Sequence, residues 1–384
     1  MGRGRVGAAG AAGAAAVLLL VTGCSSRSGG EGGRTGTPPA PPATTVSSAP
    51  PAASAAPSVA AGGVRVAGTL TEGLRSPWGL AELPGGDLLV SSRDERTITR
   101  VDARTGRQTS LGVVPGVVPG GEGGLMGLAV RDGWVYAYLT AASDNRIVRM
   151  RYGGGAGDRL GAPEPVLTGL PKGLIHNGGR IAFGPDGMLY AGTGETGRTG
   201  LAQDRGSLGG KILRMTPEGR PAPGNPFPGS VVYSYGHRNV QGLAWDADGR
   251  LWASEFGQNT WDELNLIEPG RDYGWPVVEG RAGRAGFTDP VAQWPTDQAS
   301  PSGIAYARGA IWMAALRGER LWRIPLSGAE RSGEPRAFLK DEYGRLRTVL
   351  ATGGGARLWL VTSETDTRGT PGPGDDRILR LEVG

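Results

Sequence analysis

The sequence predicts an all-β fold, a six-bladed β-propeller whose blades are four-stranded antiparallel sheets. One pattern recurs six times with a mean period of about 54 residues, a spacing typical of propellers and repeat arrays. Each copy holds three or four short runs rich in Val, Ile, Leu, Trp and Tyr, separated by turn sequences. The chain also carries 70 Gly and 29 Pro among 384 residues, which suits tight turns and disfavours long helices. The copies begin at Pro77, Gly123, Asn177, Asn239, Ser302 and Leu346.

Each repeat begins with small and apolar residues around a glycine and ends with an Ile-x-Arg strand. One four-stranded sheet cannot bury both of its faces, but six sheets closed in a ring bury them and leave only short edges. A β-solenoid or a pair of sandwiches is the alternative; solenoid repeats are usually shorter, and sandwiches do not repeat in this way. We expect a strand from residues 64–70 or 378–383 to complete a blade across the chain ends.

The first residues predict export. Arg3 and Arg5 precede an apolar stretch, and small residues lead to Cys24, which is typical of a secretory signal. The position of Cys24 resembles a bacterial lipobox, which implies cleavage before it and lipidation of it; a plain signal peptide with an incidental cysteine is the alternative. Because Cys24 is the only cysteine, no disulfide is expected in the exported domain.

Three regions are therefore predicted along the chain. They are a lipoprotein signal peptide (1–23), a disordered Ser/Gly/Pro/Ala linker that starts at the lipidated cysteine (24–62), and the propeller domain (63–384). No other segment is long and apolar enough to span a bilayer. We expect the protein to be anchored by lipid on the outer side of the cytoplasmic membrane.

The charge distribution argues against nucleic acid as a partner. Lys and Arg number 41 against 36 Asp and Glu, giving a formal net charge of +5. The arginines are scattered through the blades rather than gathered in a stripe with stacking aromatics, as nucleic-acid binding would require.

His176 is the stronger candidate for a general base among the two histidines of the chain, because it lies in a glycine-rich loop that enters a blade. His237 is followed by Arg238, which disfavours a protonated imidazole there. The alternative for either histidine is a purely structural role.

A polar segment from Ser254 to Asn265, followed by Gly270–Pro276, predicts a calcium site. Acidic side chains and the carbonyls of glycine turns are the hard oxygen ligands that Ca²⁺ prefers. No Cys/His cluster points to zinc. The alternative is a polar loop in which Asp262 and Glu263 only cap turns.

Three arginines suggest a ligand with carboxylate groups. Arg345 and Arg347 are two residues apart in an extended segment, so their side chains share one face. Two cations there repel one another unless an anion lies between them, and guanidinium groups bind carboxylates in a bidentate manner. Arg317 is a third candidate. Exposed arginines on a sheet face are the alternative.

Taken in order, these motifs resemble the soluble pyrroloquinoline-quinone-dependent aldose sugar dehydrogenases, the glucose/sorbosone dehydrogenase family. The resemblance runs from about Val64 to the chain end. The motifs that carry it are Tyr235-Gly-His-Arg-Asn-Val-Gln-Gly-Leu-Ala244, Ser254-Glu-Phe-Gly257, Asp262-Glu-Leu-Asn265 and Tyr273-Gly-Trp-Pro276, with Gly123-Gly-Leu-Met-Gly127, Gly210-Lys-Ile-Leu-Arg214 and Asn225-Pro-Phe227 in support.

The resemblance implies a six-bladed propeller and a role for each matching residue. His176 matches the general base, and Arg238 and Asn239 match residues that contact the quinone. Gly257 and Gln258 match positions whose carbonyls hold the active-site Ca²⁺. Residues matching a second, structural Ca²⁺ site are Glu263 and, through its carbonyl, Tyr273. Positions matching contacts to the cofactor are Glu122, Arg317, Arg345, Arg347 and Thr362.

The reaction implied is oxidation of an aldose at C1 to a lactone, with His176 taking the hydroxyl proton and Arg238 stabilising developing charge. Electrons then pass to an external acceptor. Phe256, Gln258, Arg317 and Thr348 depart from the glucose-oxidising members, and no match to the dimerisation insertion is present, so a monomer is expected. Two rival functions are a calcium-dependent lactonase-type hydrolase and a lipid-tethered binding propeller without redox activity.

Overall fold

Six antiparallel sheets follow one another along the chain in the computed structural model, which describes residues 59–153 and 159–384. Strand β1 (Val64–Thr71) comes first along the chain. Blade one consists of β2 (Pro77–Glu82), β3 (Leu88–Ser92), β4 (Thr97–Val101) and β5 (Gln108–Val113), and blade two of β6 (Leu125–Arg131), β7 (Trp134–Thr140), β8 (Asn145–Arg151) and β9 (Glu164–Leu170). Blade three consists of β10 (Ile181–Phe183), β11 (Leu189–Gly192), β12 (Lys211–Met215) and β13 (Val232–Tyr235).

Blades four to six continue the same order. Blade four consists of β14 (Val240–Trp245), β15 (Leu251–Glu255), β16 (Trp261–Ile267) and β17 (Ala292–Pro295). Blade five consists of β18 (Pro301–Ala307), β19 (Ala310–Ala315), β20 (Arg320–Ser327), β21 (Glu330–Arg331) and β22 (Arg336–Phe338). Blade six contains β23 (Leu346–Thr352), β24 (Arg357–Thr362) and β25 (Ile378–Val383). Short 3-10 turns cover Thr199–Ala202 and Gly353–Gly355.

The first strand of each blade contacts the first strand of the next, and β23 contacts β2, so the six sheets close into a ring. The predicted six-bladed propeller is confirmed. Blade five differs by a fifth short strand, because both β21 and β22 pair with β20.

The two ends of the chain close the ring. Strand β1 pairs antiparallel with β25 as the outer strand of blade six, with Val64 opposite Val383. The sequence predicts that one of the two terminal segments completes a blade; both contribute to the same one. The amide of Gly62 also donates to the carbonyl of Gly384 at 2.9 Å, which holds the start of the described chain beside its end.

The predicted blade starts agree closely with the inner strands. Pro77 and Leu346 are the first residues of β2 and β23, while the starts predicted at Gly123 and Asn177 precede their strands by two and four residues. The four-residue offset at Asn177 arises because glycine-rich loop residues precede the strand.

The hydrophobic core is divided among the contacts between neighbouring blades. Side chains of a strand point alternately to the two faces of its sheet. In β19, Ile311 and Met313 pack with residues of blade four, whereas Trp312 and Ala314 pack with residues of blade six. Each of the six blade contacts has such a cluster, so every sheet is buried on both faces.

Blade topology decides where functional loops lie. In a four-stranded antiparallel blade, the connection into the first strand and the connection between the second and third strands emerge at the same edge. The same face of the ring therefore gathers twelve loops, two from each blade. The loops containing His176, Arg238 and Arg345 enter blades three, four and six, and those containing Gly257 and Arg317 join second to third strands.

The predicted signal peptide and the predicted linker up to residue 58 lie outside the described residues, as does Cys24. The described ranges contain no helix with the length and hydropathy of a membrane span.

Candidate active site

A cavity of about 680 Å³ opens where these loops meet, and residues from several blades line it. Nine of the predicted site residues line it, although they are distributed over more than two hundred positions of the sequence. They are Glu122, His176, Arg238, Asn239, Gly257, Gln258, Arg317, Arg345 and Arg347.

His176 is held by its backbone and by its ring. Its φ of 52° lies in the left-handed region, and its carbonyl accepts from the amide of Thr196 at 3.1 Å. A Cβ on Gly194 would lie 1.9 Å from that carbonyl oxygen, so only glycine allows the two loops to approach so closely. The ring Nδ1 is hydrogen-bonded to Oε1 of Glu195, whose side chain is fully buried. The Nε2 atom is therefore the ring nitrogen left for a ligand.

Glu122 connects His176 to the opposite wall of the cavity. One carboxylate oxygen accepts from the backbone amide of His176 at 2.8 Å, and the other accepts from Nη2 of Arg368 at 2.6 Å. Both oxygens of Glu122 are thus engaged within the protein, and the residue fixes the loop before blade three against the last loop of blade six.

The arginine pair of blade six encloses an internal anion. Oδ2 of Asp366 accepts from Nη2 of Arg347 at 3.0 Å and from Nη2 of Arg345 at 3.2 Å. Burial alone would raise the pKa of Asp366, but the charges of Arg347 and Arg345 lower it to about 2. Burial in turn lowers the pKa of Arg347 to about 10. The two cations share one internal carboxylate, so the pair still carries a net positive charge.

Arg238 and Asn239 enter blade four beside His176. Arg238 donates from Nη1 to the carbonyl of Phe256 at 3.3 Å, and burial lowers the pKa of its guanidinium. The amide oxygen of Asn239 accepts from the backbone N–H of Gly178 at 2.9 Å, which ties this loop to the one that carries His176.

A buried network lies behind Arg238. The Oγ of Ser234 and the carboxylate of Glu255 each bond one ring nitrogen of His237 at 2.8 Å, and the other oxygen of Glu255 accepts from the backbone amide of Arg238. Ser234 and His237 are fully buried, so this Ser–His–Glu arrangement does not reach a ligand. It anchors the backbone at Arg238.

A buried cation, Arg180, lies against Trp78, a residue that lines the cavity. Arg180 stacks on the ring of Trp78 at 4.4 Å, donates from Nε to the carbonyl of Gln241 at 2.8 Å and from Nη2 to Oγ1 of Thr348 at 3.0 Å. Arg347 also lies over Trp78, at 5.7 Å. Burial lowers the pKa of Arg180 to about 9. A second cavity of about 260 Å³, lined largely by apolar side chains of the inner strands, lies against Arg180.

The predicted calcium-binding loop borders the cavity through Gly257 and Gln258. Asp262 holds one end of it, because Oδ1 accepts from the amide of Gly257 at 2.9 Å and Oδ2 from that of Ser300 at 2.6 Å. Burial raises the pKa of Asp262 to about 7. Asp262 thus acts within the fold as a cap on this loop.

Glu263 and Tyr273 lie apart from the main cavity. They line a small cavity of about 10 Å³ together with Glu255 and Glu279. Burial, followed by the charge of Glu255, raises the pKa of Glu263. Buried carboxylates that repel one another are the kind of environment that a bound cation relieves.

Thr362 is not brought to the cavity. Its side chain is fully buried and donates to Oδ1 of Asp376 at 2.9 Å, at the base of the last loop of blade six.

Within the described ranges, no group of three or more His, Cys, Asp or Glu side chains is placed to hold a metal ion.

Glu195 and Asp366 were not found from the sequence, although each touches a predicted site residue. Both lie in loops between second and third strands, on the same ring face as His176. A search for acidic residues in the loops between second and third strands would have identified both.

The cavity lining is strongly cationic. Six arginines and three carboxylates line it. The arginines are Arg93, Arg238, Arg317, Arg345, Arg347 and Arg368, and the carboxylates are Glu122, Asp262 and Asp366. The buried Nε atoms of Arg238, Arg345 and Arg347 have no hydrogen-bond partner among the described residues. The excess positive charge of the lining suits an anionic ligand with several carboxylates.

Comparisons with known proteins agree with this chemistry. The PQQ-bound aldose sugar dehydrogenase of Streptomyces coelicolor is 71% identical, with a TM-score of 0.82 over 84% of this chain and 98% of that one. Quinoprotein glucose dehydrogenase B of Acinetobacter calcoaceticus is 32% identical over 56% of this chain and 53% of its own length. An aldose sugar dehydrogenase of Escherichia coli is 28% identical over 77% and 89%.

A family model described as glucose/sorbosone dehydrogenase matches residues 74–371, which cover every strand except β1 and β25, the two strands that the chain ends contribute to blade six. The chain belongs to the glucose/sorbosone dehydrogenase family.

Proposed function

We propose that this protein oxidises aldose sugars at C1 to lactones, with pyrroloquinoline quinone and Ca²⁺ bound in the cationic cavity and electrons leaving to an external acceptor. The observation that carries the proposal is the position of His176. Its ring, oriented by Glu195, lines the same cavity as the arginine cluster. A candidate base and an anion-binding surface thereby face the same cavity.

The arginines fit the carboxylates of the quinone. Arg345 and Arg347 line the cavity and share one carboxylate, that of Asp366, so an added carboxylate finds excess positive charge there. Arg317 is exposed on the cavity wall and adds a further cation. Glu122 is already paired with Arg368, so its part is to hold the wall rather than to bind the cofactor directly.

When bound, the quinone and Ca²⁺ supply a two-electron acceptor for the hydride from the sugar and a Lewis acid. The protein supplies the proton chemistry. Nε2 of His176 accepts the proton of the C1 hydroxyl, and Glu195 at Nδ1 orients the ring and stabilises the imidazolium that forms. Arg238, which is partly buried at the cavity wall, offers a cation to developing negative charge.

The two predicted calcium sites differ in their donors. Gly257 and Gln258 offer backbone carbonyls at the cavity edge, and these do not depend on side-chain identity. Glu263 and the carbonyl of Tyr273 lie at the small cavity of about 10 Å³, where a cation would offset the repulsion between the buried carboxylates of Glu263 and Glu255. We assign the first to catalysis and the second to stability.

We also propose that the enzyme is an exported monomer, tethered by lipid at Cys24 on the outer side of the cytoplasmic membrane. Mass spectrometry of protein extracted from membranes tests this directly. A diacylated or triacylated Cys24 at the new N-terminus is expected, and a free thiol at that position contradicts the tether.

Reconstitution tests the activity. Purified protein is loaded with pyrroloquinoline quinone and Ca²⁺, and dye reduction is followed across a panel of aldoses. Sugar-dependent reduction together with a shifted quinone spectrum is expected. Quinone binding without sugar oxidation favours the inactive binding propeller, and lactone hydrolysis by the quinone-free protein favours the hydrolase.

A further inference from the structure

One carboxylate, that of Glu279, holds the whole loop between the second and third strands of blade four. Its Oε1 accepts from four consecutive backbone amides, those of Gln258 at 2.8 Å, Asn259 at 3.2 Å, Thr260 at 3.0 Å and Trp261 at 3.0 Å. Successive N–H groups that converge in this way form an anion-binding concavity, here filled by a side chain of the protein itself.

This arrangement sets the direction of the carbonyls in the same peptides. In a trans peptide the C=O of one residue points opposite to the N–H of the next. Because the N–H groups of Gln258 and Asn259 point to Glu279, the carbonyls of Gly257 and Gln258 point away from it. These two carbonyls are the oxygens that we assign to the catalytic Ca²⁺.

The carboxylate and the loop are closely packed. A Cβ added to Gly257 would lie 2.7 Å from Oε1 of Glu279 and 1.9 Å from the carbonyl oxygen of Trp261. An anion fixed behind the loop also favours a cation in front of it.

We propose that Glu279 is a positioning residue for the catalytic calcium site, which it preorganises by directing the carbonyls of Gly257 and Gln258 to the cavity. The inference rests on the proposed calcium-dependent function, but it concerns a residue outside the predicted ligand set. Within this loop Asp262 accepts only from the amide of Gly257, and its other oxygen accepts from Ser300, so it does not orient the peptides that follow Gly257.

The test compares full-length Glu279→Gln with Glu334→Gln, an exposed carboxylate paired only with Arg331 in blade five. Calcium affinity of the quinone-free protein is measured by calorimetry, and exchange of the amides of residues 258–261 by mass spectrometry. Loss of a residue that supports metal ligands typically weakens metal binding by ~10–100-fold. We expect such a loss and faster exchange in Glu279→Gln, with no change in Glu334→Gln.

Glu279 also lines the small cavity that holds Glu263 and Tyr273, so both calcium titrations are repeated in a Glu263→Gln background, which removes the carboxylate of that site. The weaker calcium binding of Glu279→Gln must persist in that background. If calcium affinity falls only when Glu263 is intact, Glu279 acts on the site of Glu263 and not on the loop of Gly257 and Gln258, and the inference is overturned. Wild-type affinity in Glu279→Gln overturns the inference alone. Absence of Ca²⁺ binding in the proteins that retain Glu279, both with Glu263 intact and with Glu263→Gln, overturns the calcium proposal itself.

Discussion

Oε1 of Glu195 is hydrogen-bonded to Nδ1 of His176, and the other carboxylate oxygen of Glu195 is buried without a hydrogen-bond partner in the described structure. The two residues come from different loops of blade three, 19 positions apart. The contact fixes which ring nitrogen faces the cavity. It also places an anion where an imidazolium would form, which is the arrangement a general base requires.

The contact predicts the effect of Glu195→Gln. The amide preserves size but removes the charge that stabilises a protonated His176, so turnover should fall at least tenfold, and His176→Ala should cost on the order of 10²–10⁴-fold. Steady-state dye reduction with quinone titrated to saturation measures both. Quinone affinity should change little, because neither residue belongs to the arginine cluster. Near-normal turnover in His176→Ala would show that the base is elsewhere.

The arginines should differ in their contribution to quinone binding. Arg347 is buried and Arg317 is exposed, and a charge acts more strongly where water is excluded. We expect Arg347→Gln to weaken quinone binding by ~10-fold or more and Arg317→Gln by only a few-fold. Titration of the quinone spectrum measures the dissociation constants. Equal losses would mean that burial does not set the strength of this contact.

Acid should destabilise the protein through Asp366. Its folded pKa of about 2 lies below the usual 3.8, so its stabilising contribution is present above about pH 4 and is lost as the pH falls toward 2. The contribution is on the order of 2 kcal/mol. Denaturant unfolding of quinone-free protein at pH 5 and at the lowest workable pH measures it. Asp366→Asn should lack this part of the pH dependence; parallel curves for the two proteins would contradict it.

Gly194 should be essential for the position of His176. In Gly194→Ala the new methyl would meet the carbonyl oxygen of His176 at 1.9 Å, so one loop must move. We expect turnover to fall at least tenfold and the free energy of unfolding to drop by ~1–3 kcal/mol. Gly85→Ala is the matched control, since nothing lies within 4 Å of its added Cβ. Kinetics and urea unfolding measure both variants, and an active Gly194→Ala would show that the loop is pliable.

Local sequence was sufficient for much of the fold. The turn sequences and apolar runs repeat at each blade, so Pro77 and Leu346 could be identified as the first residues of inner strands. The predicted blade starts are less accurate where the recurring motif lies in the loop before the strand, as it does before Ile181. The fifth strand of blade five could not be predicted, because a two-residue strand such as Glu330–Arg331 has no periodicity of its own.

The sequence by itself determined the number of blades and the approximate starts of their inner strands, and it singled out His176, Arg238 and the arginine pair as candidates. These follow from period, turn chemistry and motif, which are local properties. Only the tertiary structure decided that Glu195 supports His176 and that Asp366 lies between Arg345 and Arg347. Those contacts depend on how loops distant in sequence approach one another, and the closure of the ring sets that distance.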